Sequence, residues 1–262
     1  MRSMWKGHIR FSLVTIPIQI FNAVEKKNNI SFKQLHREDK GRVGYNKVCK
    51  TCNETVPSAD IVKGYEYEPD QYVVFEKSEL EAIKLKSTRA IDIEAFVDIT
   101  EVHPSRFEAI YYVGPNGEVA SKTFNLFCQT LKKTGKAGIG RIILRDKEDV
   151  VLLTAEKNGL IMYKLRYPNE VRSMKKVPDI VETEVDEAQL KLAETLVASL
   201  ETTFDKVNFE DRYRSALMEL VQNKIEGKEI VHIEDEVEKP VVDIMSALKA
   251  SIDAAKQLKK GA

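Results

Sequence analysis

Apolar and polar residues alternate along much of the first two thirds of the chain. Isoleucines recur at every second position from Ile16 to Ile20, and residues 8–13 alternate in the same way just before them. Successive side chains of a strand point to opposite faces, so this period indicates strands with one buried face. Six further segments have a similar pattern or a short apolar run: 71–75, 90–98, 109–113, 139–144, 150–154 and 160–163.

Short strands separated by turn residues favour a barrel. Gly and Asn cluster between the apolar runs, most clearly at 114–117 (GPNG) and 158–159 (NG), and such residues mark turns. The pattern predicts a closed or nearly closed antiparallel β-barrel. One helix is expected against it, because apolar residues within 123–133 fall on one helical face at positions 124, 127, 128 and 131.

The pattern becomes helical from about residue 177. Apolar positions 192, 196, 200 and 204 form one stripe after Asp186, which resembles a helix cap together with Gln189. A second stripe covers positions 213–221. The predicted fold class is therefore α+β, with a β-barrel core over residues 1–176 and helices over 177–226. Because these apolar stripes need a partner surface, the helices are expected to form a dimerisation arm.

The last segment, 227–262, is predicted to be a linker followed by a short helix. Residues 226–240 (EGKEIVHIEDEVEKP) are rich in charge and end at a proline. Beyond them Ile244, Met245, Leu248 and Ile252 form an apolar stripe. A helix this short is marginal alone in water, so the stripe is expected to dock on a partner protein. The alternative is that it folds back onto the protein's own helices.

Charge is distributed in blocks, although the 262 residues carry no net charge. Residues 1–50 hold 11 Lys or Arg and 3 Asp or Glu, which gives +8, and residues 51–120 hold 6 and 14, which gives −8. Residues 121–176 hold 13 Lys or Arg and 5 Asp or Glu, which again gives +8, and residues 177–262 hold 11 and 19, which again gives −8. Such blocks favour local binding of a polyanion. The alternative is that positive and negative blocks lie together in the folded protein and their charges pair as salt bridges. No apolar run reaches the length of a membrane span, so a soluble cytoplasmic protein is expected.

The basic residues of the two positive blocks are the candidate nucleic-acid contacts. The first set lies in a glycine-containing stretch with weak periodicity, which favours an extended arm, and the second lies at the predicted helix-to-strand turn. The candidates are Lys33, Arg37, Lys40, Arg42, Lys47, Lys50, Lys132, Lys133, Lys136 and Arg141. Neither set resembles a recognition helix or a platform of exposed aromatic residues. Contacts to phosphate without base readout are therefore predicted.

Signals for catalysis are mostly absent, and no cofactor is required by the pattern. The glycines at 135–140 have neither of the usual nucleotide-binding spacings, and the four histidines are far apart. Cys49 and Cys52 form a CxxC pair, which is half of a tetrahedral zinc site. His36 or the same pair of a second subunit is a candidate for the remaining ligands, and a reduced, metal-free loop is the alternative. A redox role is not favoured because no βαβ pattern surrounds the pair.

Several stretches, in this order and spacing, closely resemble the bacterial Ku family of DNA end-joining proteins. They are residues 4–14 (MWKGHIRFSLV) with 16–17 (IP), 32–36 (FKQLH), 48–52 (VCKTC), 60–67 (DIVKGYEY), 87–89 (STR), 96–98 (FVD), 134–136 (TGK), 165–172 (LRYPNEVR) and 243–251 (DIMSALKAS). The resemblance covers essentially the whole chain. Asn53 follows the CxxC where many relatives have Gly, and the C-terminal tail lacks the long lysine-rich extension of some relatives.

The resemblance implies a Ku-like, SPOC-type barrel and a homodimeric ring, with an arm from each subunit at about residues 30–65 bridging over the duplex. It further implies a non-enzymatic protein of the nucleoid that threads onto double-stranded DNA ends. Its expected partner is a multifunctional ATP-dependent DNA ligase of the ligase D type, and the short tail implies that DNA binding depends on the core. Two other functions stay open at this point: a metal-dependent nucleic-acid-processing enzyme and a zinc-ribbon regulator that reads sequence.

Overall fold

The computed structural model describes residues 1–25, 30–83, 89–144, 147–227, 248 and 251–252. The chain divides into two compact units, Met1–Lys176 and Val177–Ala262. The predicted linker lies mostly outside the described residues. No helix within the described ranges is long and apolar enough to cross a membrane.

Nine strands form the first unit together with a long helix. The strands are β1 (Trp5–Phe11), β2 (Val14–Asn22), β3 (Lys63–Glu68), β4 (Gln71–Phe75), β5 (Ala90–Asp98), β6 (Phe107–Pro115), β7 (Lys136–Leu144), β8 (Lys147–Glu156) and β9 (Gly159–Leu165). Seven of them close into a barrel in the order β1-β2-β6-β9-β8-β7-β5. The predicted α+β fold with a β-barrel core is confirmed. Strand β3 was not predicted.

The barrel closes through one parallel pair. Strand β1 pairs antiparallel with β2 from Trp5 opposite Ile20 to Phe11 opposite Val14. On its other side β1 pairs parallel with β5, from His8 opposite Ala90 to Arg10. All other neighbouring strands of the barrel run antiparallel. The expectation of an antiparallel barrel therefore holds for six of the seven strand pairs.

The core lies between the inner face of the barrel and one helix, α2, which spans Glu118–Thr134 and follows the short helix α1 (Lys77–Ala82). The isoleucines of β2 that recur with period two are fully buried. Helix α2 buries one face, with Phe124, Phe127 and Leu131 among its buried residues, and contacts β2, β6, β7, β8 and β9. It ends at Gly135, whose φ of 65° is the left-handed conformation that favours glycine at a helix C-terminus. The period-two residues of β2 and the apolar stripe of α2, both predicted from the sequence, therefore pack in the same core.

A glycine allows β5 and β7 to approach closely where β5 is irregular. The register between these strands shifts between Ile93 and Ala95. A Cβ atom on Gly140 would lie 2.4 Å from the backbone oxygen of Asp92. Since backbone cannot move aside cheaply, only glycine fits at this position.

An insertion of residues 23–89 leaves the barrel after β2 and returns at β5. We call it the arm. It contains the two-stranded sheet β3–β4 and α1, which has a capping box between Glu76 and Glu79. Within the described part of the arm no residue is buried. The described residues of the arm therefore form no core of their own, and a two-stranded sheet of this kind is marginally stable in water.

The second unit begins with two helices of equal length, α3 (Glu187–Leu200) and α4 (Arg212–Ile225). The Asp186 carboxylate accepts a hydrogen bond from the Gln189 backbone N–H at 2.9 Å, which confirms the predicted cap. Asp211 caps α4 in the same way through Arg214. Neither helix has a buried residue.

We expect Phe124→Ala to unfold the barrel readily. The side chain is fully buried between α2 and the strands, and truncation of a buried Phe costs about 3–5 kcal/mol. Val119→Ala on the same helix is the control, because Val119 is 97% exposed and should change stability by less than about 0.5 kcal/mol. Urea unfolding followed by circular dichroism measures both. Equal midpoints for the two variants would show that α2 does not close the core.

Candidate nucleic-acid interface

The first basic set lies on the arm and is free of ion pairs. All six cations are exposed: Lys33, Arg37, Lys40, Arg42, Lys47 and Lys50. Among the described residues none of them forms a salt bridge with a carboxylate. Two of them contact uncharged groups: Lys40 Nζ donates to the Arg37 carbonyl at 2.8 Å, and Lys47 Nζ lies 3.5 Å from Ser58 Oγ. These charges are available to an anionic ligand.

A first tight turn presents three of these cations. It is closed by a bridge between Leu35 and Arg42 and by a hydrogen bond from the His36 N–H to the Gly41 carbonyl at 2.8 Å. The Asp39 carboxylate accepts from the Gly41 N–H at 2.8 Å and lies 2.9 Å from His36 Nδ1. Both contacts lower the pKa of Asp39, the Gly41 bond most. The turn holds Arg37, Lys40 and Arg42 within six residues.

A second tight turn follows and carries the cysteine pair. Val48 and Thr55 form a bridge, the Cys49 N–H donates to the Glu54 carbonyl at 2.9 Å, and the Asn53 N–H donates to the Cys49 carbonyl at 2.9 Å. Asn53 has a φ of 59°. Asparagine tolerates this left-handed conformation better than other residues with a side chain. The replacement of Gly by Asn53 therefore does not prevent the tight turn.

The three cysteines have different environments. Hydrogen bonds from the backbone N–H groups of Cys52 and Thr51, and then from the Cys52 thiol, lower the pKa of Cys49 to about 7. Burial raises the pKa of Cys128 in α2 to about 11. At neutral pH Cys49 is thus partly a thiolate, which is the form that binds metals, and Cys128 is an inert core thiol.

The structure does not complete a zinc site around Cys49 and Cys52 in one chain. His36 lies in the first turn beside Asp39. Across the described ranges no three His, Cys, Asp or Glu side chains come together in a metal-binding group. One chain therefore supplies two of the four ligands that a structural zinc needs.

The four residues of the second basic set have two different environments. Lys132 and Lys133 lie exposed in the last turn of α2. Lys136 instead lies 2.6 Å from Asp98, and Arg141 lies 2.7 Å from Glu94 and 2.8 Å from Glu148. The Asp98 hydrogen bond raises the pKa of Lys136. Phosphate contact by Lys136 or Arg141 would have to replace these carboxylates.

Cross-strand pairing of this kind is general on the barrel. Arg10 on β1 lies 2.5 Å from Asp92 on β5, and Lys164 lies 3.1 Å from both Glu108 and Asp149. Sequence reasoning missed these pairs, because their partners are 15 to 82 positions apart and become neighbours only through strand register. The acidic alternation along β5 at 92 and 94 was the available signal.

The arm also exposes many large apolar and aromatic side chains, which the sequence analysis did not predict. Tyr45 is 80% exposed, and Phe32, Leu35, Val43, Tyr65, Tyr67, Tyr72, Val73 and Val74 are all at least 45% exposed. Tyr65 faces Val73 across the β3–β4 ladder. Apolar surface on this scale marks an interaction site in a soluble protein.

The described parts of the arm separate positive from negative charge. Residues 30–50 hold 6 Lys or Arg and 2 Asp or Glu, and residues 51–83 hold 2 and 8. The one described salt bridge between a lysine and a carboxylate in the arm is the 4.0 Å pair of Lys77 and Glu81. The positive half is therefore not neutralised by the negative half within one chain.

The predicted docking stripe is described only in part. Ile244 and Met245 lie outside the described residues. Leu248 and Ile252 are helical, Leu248 half-buried and Ile252 5% exposed. A partner that binds the stripe would first have to release Ile252 from its present surroundings.

Comparisons with known proteins agree on one family. The family model described as the Ku70/Ku80 beta-barrel domain matches residues 10–192. The Non-homologous end joining protein Ku of Bacillus subtilis (strain 168) is 38% identical over 261 residues, which cover 98% of this chain and 83% of the relative. The protein of the same name from Archaeoglobus fulgidus is 37% identical over 257 residues, 98% of this chain and 100% of the relative. The SPOC domain of human PHD-finger protein 3 is 11% identical, with a TM-score of 0.31 over 63% of this chain and 97% of that chain, which is too low to bear on function.

Proposed function

The chain belongs to the Ku family, and on this premise we propose that it binds the ends of double-stranded DNA in non-homologous end joining. The observation that carries the proposal is the contrast between the two sets of cations. On the barrel Arg10, Lys136, Arg141 and Lys164 are paired with carboxylates. On the arm six exposed cations have no such partner among the described residues.

The arm cations suit a ligand that is recognised by its phosphates. A paired barrel cation gains less from a phosphate, because the carboxylate beside it already screens its charge and repels a second anion. An unpaired cation gains the whole contact and releases counterions from DNA. Phosphate contacts carry no sequence information. The chain should therefore act as a sequence-independent DNA-binding protein of the nucleoid rather than as an enzyme.

The two alternative functions receive no support from the described geometry. A metal-dependent nuclease needs a cluster of metal ligands, and none is formed by the described residues. A zinc ribbon within one chain needs four metal ligands, and among the described residues the cysteine pair has no third ligand beside it.

We expect charge reversal of the arm to weaken DNA binding for all sequences alike. The variant is Lys40→Glu, Arg42→Glu, Lys47→Glu. Each lost phosphate contact should make the slope of log K against log salt shallower by about 0.9. Fluorescence anisotropy with short linear duplexes of unrelated sequence measures both effects.

Two controls accompany this variant. Lys157→Glu, Lys175→Glu, Lys176→Glu makes the same change in net charge at exposed lysines outside the arm and should bind nearly as the parent does. Covalently closed circular duplex of the same sequence should bind far more weakly than linear duplex. Equal affinity of the arm variant and the parent would remove the arm from the interface, and equal affinity for circles would exclude dependence on ends.

The proposed assembly is a homodimer in which two barrels and two arms form a ring around the duplex. Two surfaces support it: α3 and α4 have no buried residue, and the arm exposes its apolar residues. In a two-fold dimer such a patch is buried against the partner chain. A single barrel with an arm cannot encircle DNA.

We expect sedimentation to show a dimer at micromolar concentration without DNA. The interface should belong to the large apolar class, above roughly 2,000 Å². Phe204→Glu with Phe209→Glu should dissociate it, because these two rings contact each other in a tilted arrangement, with centroids 5.0 Å apart, and are exposed in one chain. Leu13→Glu, at a fully exposed barrel turn, is the control. A parent monomer that still binds DNA ends would contradict the ring.

Structural zinc is proposed only as a property of that dimer. Cys49 and Cys52 of each chain supply two thiolates, and a second copy of the pair completes four ligands. Metal analysis of protein purified without chelator should find one zinc per two chains, lost in Cys49→Ser with Cys52→Ser. Zinc retained in that variant would place the metal elsewhere.

The tail is proposed to recruit an ATP-dependent DNA ligase through Ile244, Met245, Leu248 and Ile252. An amphipathic helix binds a groove through such a stripe. Deletion of residues 241–262 should leave the affinity for DNA ends nearly unchanged and abolish stimulation of end joining by the ligase. Leu248→Glu should act in the same way, and Ser251→Ala, which is exposed on this helix, should not. Loss of the dimer or of end binding on truncation would assign the stripe to the protein's own core.

A further inference from the structure

Two arginines of the barrel have no role in the DNA contacts proposed for the arm. Arg166 belongs to the stretch 165–172 (LRYPNEVR), which carries part of the family resemblance. It directly follows β9, and Arg106 directly precedes β6. These two strands pair with Phe107 opposite Leu165. Strand register therefore places the two arginines side by side.

Reciprocal hydrogen bonds hold this pair in place. The Arg166 backbone N–H donates to the Arg106 carbonyl at 2.7 Å, and Arg106 Nη1 donates to the Arg166 carbonyl at 3.0 Å. Arg166 Nη1 donates to the Ser105 carbonyl at 3.1 Å and to the Phe107 carbonyl. Each guanidinium is thus fixed against the backbone of the other strand through Nη1. A guanidinium has five N–H donors, so Nε and Nη2 of both residues remain for another partner.

These remaining donors have no protein partner among the described residues. Neither arginine forms a salt bridge there, in contrast to Arg10 and Arg141. No buried side-chain nitrogen or oxygen in the described ranges lacks a hydrogen bond, so the free nitrogens of Arg106 and Arg166 are open to solvent. Like charges placed side by side on neighbouring strands are destabilising. An anion bound between them would relieve that repulsion.

The two arginines line an open cleft of about 430 Å³. This volume lies within the range of small-molecule sites, about 300–1,000 Å³. Glu101 is the one carboxylate residue among the described residues that line the cleft, and after Asp98 it also raises the pKa of Lys136. Apolar side chains form part of the wall: Val102, Ile139, Val150 and Leu165. The cleft therefore combines two unpaired cations with an apolar surface.

We propose that this cleft binds a phosphate monoester in its doubly charged form, with the group that carries the phosphate against the apolar wall. A phosphate monoester has about −1.5 to −2 charges at neutral pH and three acceptor oxygens, which matches two guanidinium groups. A carboxylate or a phosphodiester carries one charge and leaves one arginine unbalanced. Nε and Nη2 of an arginine form the planar fork that donates two parallel hydrogen bonds to phosphate.

Two sources can supply this group: a free phosphate monoester and the terminal phosphate of a DNA strand. An internal DNA phosphate is a diester, so the cleft is expected to discriminate against the phosphates that the arm contacts. The first test uses a free monoester without DNA. Its failure would therefore leave the proposed DNA binding by the arm untouched.

The first test is isothermal titration calorimetry of the full-length protein with phenyl phosphate, a monoester with an apolar ring. The titration should show one site per chain. Methyl phenyl phosphate, the diester with the same ring, should bind about tenfold or more weakly, because it lacks the second charge. Arg106→Gln and Arg166→Gln should each weaken binding of phenyl phosphate by about tenfold or more, as expected for loss of a hydrogen bond between charged groups.

The matched control is Lys122→Gln with Lys157→Gln. Both lysines are exposed and lie outside the cleft lining, so this variant should bind phenyl phosphate as the parent does. Absence of saturable binding to the parent, equal affinity for the diester, or equal affinity of the arginine variants and the parent would each overturn the proposal.

A second measurement needs no substitution and so does not depend on how the variants fold. Phenylglyoxal modifies arginine side chains, and mass spectrometry of peptides locates the modified residues. Phenyl phosphate should slow modification of Arg106 and Arg166 in the parent and leave the rate at Arg172, which is exposed, unchanged. Equal rates at Arg106 and Arg166 with and without phenyl phosphate would contradict binding in the cleft.

Two linear duplexes that differ only in their 5′-terminal phosphates distinguish the sources. If the strand end supplies the ligand, the parent should bind the phosphorylated duplex more tightly, and Arg106→Gln and Arg166→Gln should each lose that preference. Equal affinity of the parent for both duplexes, together with binding of phenyl phosphate, would assign the cleft to a free monoester. A preference for the phosphorylated duplex that survives in both arginine variants would overturn the cleft as the monoester site.

Discussion

The pairing of β1 with β5 is the interaction on which the rest of the structure depends. Strand β1 lies between β2 and β5, and the arm leaves the barrel after β2 and returns at β5. The 67-residue insertion, 23–89, is therefore attached to β2 at one end and to β5 at the other, and both strands are neighbours of β1. A core of fully buried isoleucines on β1, β2 and β5 holds those three strands together. The arm, in whose described part no residue is buried, therefore leaves the barrel and returns to it at two strands that both pair with β1.

Charge is arranged differently on the barrel and on the arm. Four barrel cations, Arg10, Lys136, Arg141 and Lys164, are matched by carboxylates on a neighbouring strand at distances of 2.5–3.1 Å, so charge is balanced locally around these four residues. The arm instead keeps a positive half and a negative half apart. Because surface ion pairs add little stability, the larger effect of these four pairs is electrostatic: a carboxylate beside each cation weakens the positive potential of that part of the barrel. The six cations of the arm have no such carboxylate among the described residues.

The sequence predicted the parts of this structure that depend on local periodicity. The period of two along β2, the helical stripe of α2 and the cap at Asp186 each concern residues close in sequence, and all three are present. The pairs of Lys136 with Asp98 and Arg141 with Glu94 were not predictable, because they depend on the register of β5 against β7. Strand β3 was missed because its residues, KGYEYE, are polar or aromatic and none is buried. For the site, exposure of the arm cations was expected, but their lack of partners and the exposed tyrosines around them could be seen only in the structure.

The arm and the helices α3 and α4 differ from the barrel in how little apolar surface they bury within one chain. A two-stranded sheet without a covered face and two helices without buried residues gain little from folding alone, because hydrophobic burial is the main favourable term and ordering each residue costs about 1–2 kcal/mol. In the barrel, hydrophobic burial offsets the cost of ordering the chain, since its strands and α2 bury a continuous core. The described parts of the arm and the two helices bury no residue in one chain, so they lack this favourable term. Burial against a second molecule, as in the proposed dimer, would supply it.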